Sequence, residues 1–233
     1  MARISPAPPE RFEQVADIMA RWKQAKGYPP NSWLTMVRKP AVFRAYRALH
    51  TAVMMEEGEV PRALKFLVAH VVSQACGDPY CAAHNAENAA HIGNVPLAKV
   101  EALSRYPSSP LFTPAERAAL DLALAAGGGS PGATDAHFAE LRKHYSEDAI
   151  IEIVSVIALL GWLNRWNITL ATPIEGEALA FAERHLAPWR PGGLSGAKDW
   201  QAASSKTAEQ TGMKVRKYAS FPNRNVEVRI GLK

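Results

Sequence analysis

A chain of 233 residues, 48% of them hydrophobic and 21% charged, is long enough for one sizeable packed domain or two small ones. These values exclude whole-chain disorder and the collagen-like and low-complexity classes. The net charge of +5 belongs to the C-terminal end: from residue 191 onward eight Lys/Arg stand against three Asp/Glu, and the first 190 residues sum to zero. A neutral body is a poor surface for tracking phosphates, so nucleic acid is not expected as a partner.

Apolar positions recur at spacings of three and four rather than two, which predicts an all-α fold. Helices are expected over residues 9–26, 40–57, 61–75, 79–92, 96–106, 114–126, 134–144, 146–170 and 175–186. Several open with Pro in the first turn, where its missing N–H costs nothing, and Thr113-Pro114-Ala115-Glu116 carries the capping-box pattern. The Gly-rich run at 126–132 breaks the helical pattern into two halves. An offset of 86 residues lays 61–73 over 147–159, apolar on apolar, and hints that the halves are pseudo-repeats. The most apolar run, 153–163, falls short of the ~20 residues a bilayer requires, so a buried helix is expected and a membrane partner is not. No apolar run of signal-peptide length marks the N-terminal residues, which leads to a cytoplasmic expectation. The expected organisation is an extension over 1–29, a helical domain over 30–190, and a basic tail over 191–233 in which only 226–230 alternates like a strand.

The chemistry-bearing segment is Ser73-Gln-Ala-Cys76-Gly-Asp-Pro-Tyr-Cys81-Ala-Ala-His84, which holds both cysteines of the chain. Asp78 as cap and Pro79 at the first helical position put Cys81 in the first turn of a helix. Unpaired amides and the positive end of the helix dipole favour a thiolate there, so a lowered thiol pKa is expected. His84, three residues on, lies on the same helix face and could exchange a proton with the sulfur. Cys76 precedes a turn softened by Gly77, and four intervening residues allow a disulfide with Cys81 if the loop folds back. A metal reading stays open beside this one and would need Cys76, Cys81 and His84 with a fourth ligand such as His70 or His91.

Several stretches together resemble the carboxymuconolactone decarboxylase and alkylhydroperoxidase-D-like family. They are Asn31-Ser-Trp-Leu-Thr-Met-Val-Arg-Lys-Pro40, the helical run 64–73, Tyr80-Cys81-Ala-Ala-His84, Thr113-Pro-Ala-Glu-Arg-Ala-Ala-Leu-Asp121 and 151–166. The resemblance implies an alkylhydroperoxidase-D-like helical domain and a thiol peroxidase acting on organic hydroperoxides. In that reading Cys81 attacks the peroxide, Cys76 resolves the sulfenic acid and His84 relays protons. It further implies a dithiol reductant protein as partner, a homo-oligomer, and no cofactor or metal. The chain departs from the family pattern in its four-residue spacer between the cysteines, in two rather than three residues between Cys81 and His84, and in Phe66 at the place of a relay glutamate. His70 or Glu152, the latter set over Phe66 by the 86-residue offset, are the candidate replacements. Two alternatives accompany this reading: a non-redox decarboxylase or lactone-processing enzyme using His84 as acid or base, and a non-catalytic, zinc-binding or oligomeric helical scaffold.

Overall fold

The computed structural model describes residues 2–26, 29–128 and 132–186. The expected tail over 191–233, with its strand at 226–230, lies outside the described residues. Eleven α-helices and no strand occur among the described residues. The chain divides into two compact units, residues 4–44 and residues 45–186 together with 2–3, so the expected boundary after residue 29 falls inside the smaller unit.

The smaller unit begins where a single helix is expected over 9–26 and instead holds two, α1 (Pro9–Glu13) and α2 (Ala16–Lys26). The chain turns tightly between them, with Val15 N–H donating to Phe12 O at 3.1 Å, and both Phe12 and Val15 are buried as a result. The short α3 (Asn31–Met36) has no counterpart in the sequence reading. All six of its residues are buried, so it has no polar face from which a period could be read. Trp33 packs edge-on to Phe43 at 5.2 Å, and Arg38 ties the N-terminal strap by bonding Ser5 O and Pro6 O at 2.8 and 3.0 Å.

The unit boundary falls within α4 (Pro40–His50), which ends in a π-helical stretch over Thr51–Met55. The larger unit is built around α5 (Arg62–Ala75), whose residues from Leu64 to Ser73 are all buried. Around it pack α6 (Pro79–His91), α8 (Pro114–Gly127) and α10 (Glu147–Leu170). Gly127 permits the close approach of α8 to α5, since a Cβ there would meet Val72 O and Ala75 Cβ at 2.7 Å. The remaining helices are α7 (Leu97–Glu101), α9 (Asp135–Leu141) and α11 (Gly176–His185). The capping box at Thr113 forms as expected, with Glu116 N–H donating to Thr113 Oγ1 and Thr113 N–H donating to Glu116.

α10 differs from the buried helix expected of it. It is 24 residues long, and by length and composition it is the one described helix apolar enough to cross a membrane. It buries a stripe through Ile150, Ile153, Val156, Leu160 and Leu163, while Ile151, Trp162 and Ile168 are exposed on its other side. The match of 61–73 to 147–159 goes no further along the chain. α5 ends at Ala75 and the chain turns, whereas α10 runs on through the corresponding positions.

Candidate active site

The turn between α5 and α6 is fixed rather than soft. Gly77 N–H donates to Gln74 O at 3.0 Å and Asp78 N–H to Ser73 O at 2.9 Å, the paired bonds of a Schellman cap with Gly77 in the left-handed region at φ +72°. No atom would contact a Cβ at Gly77, so Gly77→Ala should cost only its backbone strain. We expect about 1 kcal/mol less stability in urea denaturation of the reduced protein. Cys76 closes α5, Asp78 caps α6, and Pro79 opens it, so Cys81 stands in the first turn as the sequence predicts.

The charge state predicted for that sulfur is overturned. Cys81 is 4% exposed, and burial first, then the charge and closeness of Asp78, push its thiol pKa well above the ordinary value. Cys76 is close enough to push the same way. Only the Asn167 carboxamide, whose Nδ2 donates to Cys81 Sγ at 3.2 Å, opposes them. The physical reason lies in the cap. The Asp78 carboxylate accepts from the Tyr80 N–H at 3.0 Å and also feels the Cys81 N–H, so the helix start expected to favour a thiolate already faces a carboxylate. Cys81 therefore rests as a thiol.

His84 reaches a partner the sequence reading does not name. Its Nε2 lies 2.5 Å from Glu175 Oε2, and Tyr80 donates its hydroxyl to Glu175 Oε1 at 2.9 Å. The Tyr80 and His84 rings pack with centroids 4.6 Å apart. Glu175 stands at the N-cap of α11 but makes no side-chain cap bond, and its carboxylate meets these two residues instead. Glutamate is not among the residues preferred at that position, and this was the one local signal for it. Asn167 lies on α10 beyond the stretch matched by the 86-residue offset, and its side chain is bonded to Cys81. Asn164, one turn before Asn167 on α10, is 1% exposed with neither amide atom hydrogen-bonded among the described residues, while Arg165 beside it is exposed.

The two candidate relays fall elsewhere. His70 is buried, its Nδ1 bonded to Ala82 O at 2.8 Å, and burial lowers its pKa to about 4 against the pull of Ala82 and Gln74. A ring that donates to a carbonyl and stays neutral at ordinary pH ties α5 to α6. Glu152 lies 15 residues before Asn167 on α10, about 22 Å along the axis. There it pairs with Lys65 at 3.0 Å and accepts from the Glu59 and Val60 amides. Burial opposes these contacts, but together they hold its carboxyl below the usual range. Phe66 is buried hydrocarbon. The metal alternative finds no ligand set, since among the described residues no group of three or more His, Cys, Asp or Glu is placed to hold an ion.

Residues 40–125 match the sequence profile of the carboxymuconolactone decarboxylase family. Among curated proteins no relative is found. Among solved structures, a cysteine-to-alanine variant of the debrominase Bmp8 in complex with 2,3,4-tribromopyrrole is 32% identical, over 78% of this chain and 96% of that one, with a TM-score of 0.71. The apo form of Bmp8 gives 0.70 at the same identity, over 77% and 96%. The alkylhydroperoxidase AhpD core of a peroxidase-related protein from Ralstonia eutropha JMP134 shares the fold at a TM-score of 0.65 and 23% identity, over 78% and 95%.

Proposed function

This chain belongs to the carboxymuconolactone decarboxylase family, and from that premise we propose that it is a thiol-dependent oxidoreductase that reduces organic hydroperoxides through Cys81 and Cys76. The observation that carries the reading is the placement of Cys81. Its sulfur is buried in the first turn of α6, held by the Asn167 N–H and near the Asp78 carboxylate, one turn from Cys76. Cys81 attacks the outer peroxide oxygen, the O–O bond breaks, and the alcohol departs, leaving a sulfenic acid. The Cys76 thiol then attacks that sulfur, a disulfide forms and water leaves. The sum is one hydroperoxide and two thiols converted to alcohol, water and disulfide, and a dithiol reductant protein restores the pair. His84, oriented by Glu175 and Tyr80, supplies a proton to the oxygen that leaves the sulfenic acid as water. In this reading Glu175 takes the relay place that Phe66 leaves empty.

A second reading is favoured by the 32% identity to a debrominase. The same two thiols can supply the two electrons that replace a carbon–bromine bond by carbon–hydrogen, with bromide and disulfide as the other products. The two are separated by offering the protein cumene hydroperoxide and 2,3,4-tribromopyrrole in turn, with dithiothreitol as reductant, and assaying cumyl alcohol and bromide. Alcohol released in step with dithiol oxidation is the expected result. Bromide alone transfers the assignment to the second reading, and neither product overturns both.

A further inference from the structure

We propose that Asp78 is the catalytic residue that takes the proton from the Cys81 thiol as its sulfur attacks, so that one side chain both starts α6 and activates the nucleophile. The inference rests on the reading of Cys81 as the attacking thiol and adds the group that deprotonates it.

Capping alone does not explain a carboxylate here. Asp78 is 2% exposed, and a neutral cap serves the purpose without burying a charge, as Thr113 and Ser146 do for α8 and α10. Its Oδ1 takes the Tyr80 N–H at 3.0 Å, while Oδ2 is buried with no hydrogen-bond partner among the described residues. The Cys81 N–H and thiol lie close enough to act on the same carboxylate. An under-satisfied buried carboxylate oxygen beside an S–H is a place where a proton gains more than it would in water.

The neighbours divide over that transfer: Asn167 favours it by lowering the thiol pKa, whereas His84 holds the Asp78 carboxyl down and Cys76 holds the thiol up. From α6, His84 acts on Asp78 through space, and from the end of α5, Cys76 acts on the sulfur. From α11, Glu175 faces His84, and from α10 the neutral Asn167 donates to the sulfur. None of the groups acting on Asp78 is Lys or Arg, so burial holds its carboxyl up at about 6 against the pull of Cys81 and Tyr80. A carboxyl raised this far is ionised at neutral pH yet basic enough to accept a proton during attack.

In the step, the Cys81 S–H bond breaks and an O–H bond forms on Asp78. The sulfur electron pair bonds the outer oxygen of the hydroperoxide, and the O–O pair leaves on the alkoxide. That alkoxide takes the proton from Asp78 and departs as alcohol, which restores the carboxylate and leaves Cys81 as the sulfenic acid. Asn167 stays on the sulfur throughout, as a donor that a thiolate uses better than a thiol.

The test reads the pH dependence of Cys81 alkylation by iodoacetamide, on a Cys76→Ser background so that one thiol is counted. Where thiol and carboxylate exchange a single proton, the reactive pair is fully formed once Asp78 has ionised. The rate should then rise tenfold per pH unit up to about 6 and stay level to about pH 8. Asp78→Asn keeps the size and the cap, and should climb tenfold per unit through the whole range. Asp78→Ser, a shorter capping residue, should do the same, so a folding defect in one variant does not blind the test. A parent profile with no plateau, or variants that retain it, overturns the proposal and leaves Asp78 as a cap. Because alkylation needs no peroxide, a plateau that Asp78→Asn removes supports the role of Asp78 even if hydroperoxide leaves the thiol untouched; that last result counts against the peroxidase reading alone.

Discussion

Cys81→Ser should reduce hydroperoxide turnover to the rate of the dithiol reductant alone, whereas Cys76→Ser should complete one half-reaction and stop. The asymmetry follows from their positions. Cys81 accepts the hydrogen bond from Asn167 and stands near the Asp78 carboxylate, while Cys76 sits at the end of α5, half-buried, with the turn at Gly77 between them. A serine at 81 has no sulfur to oxidise, so nothing downstream can occur. A serine at 76 leaves the first step intact and removes the thiol that would attack the sulfenic acid, which then persists. Dimedone labelling should mark Cys81 in the Cys76→Ser protein after one equivalent of hydroperoxide, with a gain of about 16 Da in its absence. Labelling at Cys76 in the Cys81→Ser protein instead would reverse the two roles.

The second large effect is on stability and falls far from the thiol. Glu152→Ala should destabilise the protein by about 3 kcal/mol while a folded sample keeps its thiol chemistry. Removing this carboxylate strands the Lys65 ammonium, whose side chain is 4% exposed, and frees the Glu59 and Val60 amides. The figure is set at the low end of the cost of breaking a buried pair because the Glu152 side chain is 25% exposed and partly solvated. Urea denaturation measures the first part and the hydroperoxide assay the second. A loss of activity with unchanged stability would return Glu152 to the relay role that the sequence pattern allows it.

Much of the architecture is legible because the helices announce their starts. Thr113-Pro114, Ser146 and Asp78-Pro79 each place a cap and a first turn within a residue or two of where the structure has them. What escapes is the element with no period to read, α3, and the break before Val15, where two buried side chains override a continuous helical pattern. The site divides in the same way. Cys81 in a first turn beside Cys76 is a local fact and visible. The ionisation of Cys81 is not, because the residue that starts the helix also faces its amides and adds a negative charge. Glu175, 91 residues from His84, is a tertiary fact with no spacing to betray it. Replacement of the relay at Phe66 is sought along the sequence at His70 and Glu152, but the folded chain brings up a carboxylate from the start of α11.

The most direct measurement of the central claim is the intact mass and free-thiol count of the fully reduced protein before and after one equivalent of cumene hydroperoxide. The account predicts a loss of about 2 Da and of both thiols from each chain, with Cys76 and Cys81 recovered in one disulfide-linked peptide pair. Two thiols still titrating at unchanged mass would contradict it.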